Sequence, residues 1–238
     1  MPFDGAFLAA TAAALLKGVP LTLELALLSV SLGLVLAFAL ALMRVSGVAA
    51  LDLPARLYGF VFRGTPLLVQ IFIIYYGLSQ FPAIRHSGLW VYLRQAYWCA
   101  VLALTLNTAA YGSEIIRGGL LSVAHGQIEA ARACGMAPLT LYRRIVLPQA
   151  LRQMLPGYSN EVILMVKATA LASTVTLMEV TGIAAKLISE SYRPVEVFIC
   201  AGALYLGLNF AITRLFAQLE RALSPEKRPA PVPETPHV

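Results

Sequence analysis

Long apolar runs separated by short polar stretches dominate the chain. The first, Leu21 to Met43, is interrupted only by Glu24. About 20 apolar residues cross a bilayer as a helix, so this run predicts a first span. A second is assembled from Leu57 to Phe81, with a break expected near Gly64 and Pro66. Ala96 to about Ile116 predicts the third, with Tyr97 and Trp98 as interface anchors. The fourth, Tyr158 to Met178, is rich in Ala and Thr and carries Lys167 near its middle. Such a segment suits packing against helices or lining a pathway better than facing lipid. Val195 to about Phe216 is the fifth. The predicted fold class is an all-α integral membrane protein with five transmembrane helices. The transmembrane domain occupies residues 1–223, and the proline-rich stretch from Ser224 to Val238 reads as a disordered tail.

Composition strengthens this picture. The chain is 59% hydrophobic and 13% charged, whereas a soluble domain is about half apolar and a quarter charged. Much of its surface must therefore lie in lipid. The first 16 residues carry no basic group and lack the positive region of a secretory signal. The net charge of +6 is distributed by side, so it reads as orientation rather than nucleic-acid binding. Three basic residues fall at 44–63, five at 117–152 and four from Arg214 onward. Lys17, Arg85, Arg94, Lys186 and Arg193 fall on the other side. The positive-inside bias puts residues 117–156 and the C-terminus in the cytoplasm and the N-terminus outside.

No Gly precedes a Lys, so the phosphate-cradling Gly-Lys-Ser/Thr loop is absent, and energy from ATP would have to come through a partner. Cys99, Cys134 and Cys200 fit no metal or disulfide spacing, and His86, His125 and His237 are dispersed. No metal site or catalytic constellation is visible, and an enzyme is not predicted.

One polar stretch, Gly126 to Pro148, stands apart. Gln127 to Cys134 reads as a short helix of good helix formers, stopped by Gly135 where a left-handed cap is cheap. Pro138 suits the first turn of a second helix. Two short helices meeting at a glycine make a knob able to fit a groove in another protein.

The spacing of Glu129-Ala130-Ala131, Gly135 and Ile145-Val146-Leu147-Pro148 resembles the EAA loop of ABC-importer permeases. Arg63-Gly64-Thr65-Pro66-Leu67-Leu68-Val69-Gln70 resembles a stretch of polar amino-acid permeases. Ala168 to Gly182 and Tyr192 to Glu196 resemble the M-type subunits for histidine, lysine/arginine/ornithine, octopine and nopaline. The resemblance implies the type I importer permease fold in a bacterial inner membrane. It implies a coupling loop over about residues 117–156, docked on a cytoplasmic ATPase through Glu129, Ala130, Ala131, Arg132, Gly135, Ile145, Leu147 and Pro148. In that role Ala130 and Ala131 permit close approach, and Glu129 pairs with a basic residue of the loop or of the ATPase. The implied partners are a second permease subunit, in a heterodimer or a homodimer, two ATPase subunits that bind ATP and magnesium, and a periplasmic amino-acid binding protein. No cofactor is implied on this chain itself. The implied activity is import of basic amino acids or opines by alternating access. A free-standing secondary transporter or channel is the competing class, although internal repeats expected of many secondary transporters are not evident. One departure stands out: Lys167-Ala168 occupies a place where many relatives have Lys-Asp.

Ionisable groups at membrane depth cost roughly 3 kcal/mol on insertion scales, so Glu24, Glu114, Glu161 and Lys167 require partners or a water-filled cavity. Glu114, Asn160, Glu161, Lys167, Thr169, Ser173 and Thr174 are the candidate pathway residues. Carboxylates there would complement a cationic side chain, and Lys167 or backbone N–H groups would meet the substrate carboxylate. The alternative is that Glu161 and Lys167 only satisfy neighbours such as Arg117 or Glu179. Glu114 and Arg117 lie three apart on one helix face and can pair with each other.

Overall fold

The computed structural model describes residues 4–223, and helices follow the apolar runs. α1 (Gly5–Leu16), which the hydrophobic pattern did not predict, starts where the Asp4 carboxylate accepts from the Ala6 and Phe7 N–H groups. These bonds, that from Phe7 foremost, together with Arg193, hold the Asp4 carboxyl below its ordinary value. Arg193 also stacks on Phe7, so the start of α1 is fastened to the loop before the last helix.

α2 (Val19–Val45) and α7 (Ala96–Leu121) form the axis of the bundle. Thr22, Ala26, Ser29, Gly33, Ala37 and Ala41 recur at helical spacing and are buried on one face of α2. Small residues let two helices approach where no hydrophobic effect drives them together. The fit is close at Gly33, where an added Cβ would lie 2.3 Å from Thr108 Cγ2 of α7. Leu27, Val35 and other large apolar side chains of α2 point away from the bundle, as a lipid environment requires.

The second predicted span is a bent pair and begins earlier than the apolar run suggested. α3 (Ala49–Gly64) meets α4 (Leu67–Phe72), which continues through wider and tighter turns to Gln80, at 104°. Pro66 supplies the reason: it disfavours helix at Thr65, which is extended. The carbonyls released at the bend are satisfied by side chains. Gln70 Nε2 donates to Phe62 O at 2.8 Å and to Thr65 Oγ1 at 2.8 Å. Asn107 Nδ2 of α7 donates to Gln70 Oε1 at 3.0 Å. Short helices α5 (Pro82–Arg85) and α6 (Trp90–Leu93) then lead into α7.

The polar stretch forms α8 (His125–Ala133) and α9 (Pro138–Leu141). Here the expectation of two short helices fails. α9 runs without a break through a π turn at Tyr142–Val146 into α10 (Leu147–Ala168) and a 3-10 segment at Thr169–Val175. The π turn precedes Pro148, which has no N–H to donate and would crowd a regular preceding turn. The predicted fourth span, Tyr158 to Met178, is thus the inner part of one longer rod. Thr176, in the left-handed region, ends it, and α11 (Val180–Ser191) follows at 49°. α12 (Pro194–Leu223) is unbroken and packs through Val197 and Ala201 on α1 and α11. Among the described residues three helices are long and apolar enough to cross a membrane, and the two bent pairs, each taken as one span, bring the number to five. The proline-rich tail lies outside the described residues.

Candidate functional site

The end of α8 is built as the sequence suggested. Gly135 has φ +74°, its N–H donates to Arg132 O at 2.9 Å, and the Met136 N–H donates to Ala131 O at 3.1 Å. That pair of bonds is a Schellman motif, which closes a helix and turns the chain sharply. Met136 then folds back on a small core of Val123, Ala131, Leu141, Val146 and Ala150.

This core corrects one assignment. Ala131 is only 4% exposed and faces inward, so it is not presented for docking. Its role is to let α8 lie close on the rod. The outward face carries Glu129, Ala130 and Arg132, all exposed. Ile145 is half-buried against the same core, whereas Leu147 and Pro148 are exposed at the start of α10. The expected pairing of Glu129 within the loop is not made: among the described residues Glu129 has no ion pair, and Arg132, Arg143 and Arg144 stand free of it. Gln149 donates to Gln127 and ties α8 to α10.

The second group lies at the centre of the bundle. Glu161 on α10 is 6% exposed and accepts from Thr108 Oγ1 at 2.7 Å. No cation reaches it among the described residues. Neither expected neighbour serves Glu161 or Lys167. Arg117 is held by Glu114 at 2.9 Å. Glu179 is fully buried as the cap of α11, accepting from the Gly182 N–H at 2.8 Å, the Thr181 N–H at 2.9 Å and Tyr205 Oη at 2.8 Å. Lys167 is exposed and makes no ion pair among the described residues.

Asn160 and Lys167 belong to one exposed stripe of α10, with Gln153, Pro156, Gly157 and Leu164. A polar stripe on a membrane helix is costly against lipid and marks a face that meets water or protein. Thr169, Ser173 and Thr174 continue the rod, each hydroxyl donating to a carbonyl three residues back. Their oxygens retain lone pairs for further donors.

Glu114 is engaged more fully than its spacing from Arg117 implied. It also pairs with Arg44 of α2, which bonds Asp52 of α3 at 3.0 Å. One carboxylate therefore joins α2 and α7, and Arg44 extends the tie to α3. Glu24 likewise accepts from Tyr97 Oη at 2.6 Å and links α2 to α7. Sequence reasoning missed the roles of Thr108, Gln70 and Arg44. Only the polar character of Thr108 and Gln70 within apolar runs marked them.

Five crossings, a knob projecting from one end and a polar stripe on the rod that carries it define a polytopic transport permease. A family model described as "Binding-protein-dependent transport system inner membrane component" matches residues 29–225. The chain belongs to that family, the permeases of ABC importers, and it is a multi-pass inner-membrane component. It is 73% identical over 228 residues to an octopine transport system permease protein of Rhizobium radiobacter, covering 96% of this chain and 93% of that one. It is 45% identical over 205 residues to a histidine/lysine/arginine/ornithine transport system permease protein of Escherichia coli (strain K12), covering 86% of each. Among solved structures it resembles an amino acid ABC transporter with histidines, at TM-score 0.82 and 34% identity, over 93% of this chain and 100% of that one.

Proposed function

We propose that this chain is the membrane half-channel of an ATP-driven importer of opines or basic amino acids. A second permease subunit would complete the pathway, two ATPase subunits would drive it, and a periplasmic binding protein would deliver the substrate. The observation that carries this reading is the continuous rod from Pro138 to Val175. The knob is welded to its start, and the polar stripe and Glu161 lie along it. At about 1.5 Å per residue it is some 55 Å long, so one continuous helical segment, with a π turn at Tyr142–Val146 and Pro156 within it, links the knob to the centre.

In this reading α8 lies in the cytoplasm and the N-terminus in the periplasm, supported by the distribution of basic residues. Glu129, Ala130 and Arg132 are the docking face for the ATPase. Glu161 meets the guanidinium or ammonium of the substrate, and Lys167 meets a carboxylate. Because Ala168 offers no carboxylate, Glu161 is the charge complement on this rod. The names of the octopine and basic amino-acid permeases support a substrate of this class.

Assembly tests this reading first. Co-expressed with its cognate ATPase and a second permease subunit, the chain should copurify with both through size exclusion. Recovery of the chain without ATPase would remove the importer reading.

A further inference from the structure

A pocket of about 550 Å³ opens among α2, α3 and α7, and of the candidate pathway residues it includes Glu114. Arg44, Arg56, Arg63, Tyr111 and Glu114 line it. Its cations are unequally committed. Arg44 bridges Asp52 and Glu114, and Arg56 Nη2 lies 2.6 Å from Asp52. Arg63 comes no closer than 3.9 Å to Glu114. Its guanidinium lies over the Tyr111 ring at 5.6 Å, and its side chain is 45% exposed. An arginine positioned by an aromatic face, with one long ion pair to Glu114 and no hydrogen bond to a carboxylate, can receive a planar anion, because the guanidinium fork matches a carboxylate.

The placement of the pocket specifies which anion. Tyr111 and Ile115 are one turn apart on α7, and Ile115 touches α10 at Gly157, where an added Cβ would lie 3.2 Å from Ile115 Cγ2. Gly157 belongs to the exposed stripe that carries Asn160 and Lys167. The pocket and that stripe therefore border the same strip of α7. Glu161 is bonded to Thr108, which lies about one turn before Tyr111 on the same helix. Arg63 itself closes α3 at the bend held by Gln70 and Asn107.

We propose that this pocket is an anion subsite that takes the carboxylate of the substrate during release, with Arg63 as its receptor. The assignment rests on the substrate class proposed above. It makes the route two-ended: a cation at Glu161, then a carboxylate at Arg63 further along α7. An opine, which carries more than one carboxylate, suits such a route.

The test is equilibrium binding of labelled arginine, octopine and agmatine to the full permease–ATPase complex. The complex is held in phosphatidylcholine nanodiscs without the binding protein, and agmatine is arginine without its carboxylate. In R63Q, arginine and octopine should bind about tenfold more weakly while agmatine binding stays within about twofold, and R63K should recover part of the loss. Copurified ATPase and the melting temperature serve as controls for folding. The proposal is overturned if R63Q leaves arginine binding unchanged, or weakens agmatine equally. It is also overturned if the variants differ only when phosphatidylglycerol is present, since a lipid phosphate would then be the occupant. A wild-type complex that binds none of the three ligands would sink the substrate class and this subsite together.

Discussion

Exchanging Glu129 for Lys and Gly135 for Pro together is expected to strip the ATPase from the complex while the permease subunits stay paired. Glu129 is exposed on α8 and has no ion pair among the described residues, so its carboxylate is available to a partner. Reversing that charge replaces attraction with repulsion, and losing a close charge pair at an interface costs about 2–5 kcal/mol. Gly135 at φ +74° sets the exit angle of α8. Proline would impose φ near −65° and remove the N–H that donates to Arg132 O. The Schellman motif then cannot form, and the docking face is misdirected. The combined loss corresponds to roughly a thousandfold weaker ATPase association, read by copurification or by titrating ATPase onto nanodisc-held permease. Ala131→Leu is the informative contrast: it overpacks the core beneath α8 and should lower the melting temperature. ATPase association unaffected by the double change would refute the assignment of α8.

Glu161→Gln is expected to lower uptake of cationic substrates by about ten- to a hundredfold in kcat/KM, without loss of assembly or thermal stability. Gln keeps an acceptor for Thr108 Oγ1 and nearly the same volume, so the packing of α10 on α7 is retained. What disappears is a carboxylate with no ion pair among the described residues. A charge-assisted hydrogen bond to a substrate contributes about 1.5–3 kcal/mol, which sets the size of the loss. A purely structural Glu161 would give the opposite pattern, with stability falling and selectivity unchanged. The measurement is uptake of arginine in reconstituted vesicles alongside the melting temperature of the same preparation. Intact uptake of cationic substrate by Glu161→Gln would remove this residue from the pathway.

Local chemistry was legible where one residue dictates the backbone. Gly135 ends α8 and Pro138 begins α9 because a left-handed cap and a missing N–H are properties of those residues themselves. Glu114 and Arg117 meet because three residues along a helix return to the same face. The apolar runs placed the five crossings but not their shapes. The 104° bend at Thr65 and Pro66 was visible only as a break, since the bonds that hold it come from Gln70 and from Asn107, 37 residues further on. The continuity of the rod was hidden because a π turn before Pro148 has no strong local signature. Ala130 and Ala131 are indistinguishable by type, and only the folded core separates the exposed one from the buried one. Thr108 as the partner of Glu161 depends on α7 and α10 lying side by side, which no spacing within either helix encodes.

The most direct measurement is uptake of labelled octopine and arginine into vesicles holding the complete assembly, with the binding protein on one face and ATP on the other. Accumulation should require ATP on the side of the ATPase, require the binding protein on the opposite side, and persist when ion gradients are collapsed. Accumulation driven by a proton or sodium gradient, in vesicles that contain this chain without any ATPase, would contradict the account and identify a free-standing transporter instead.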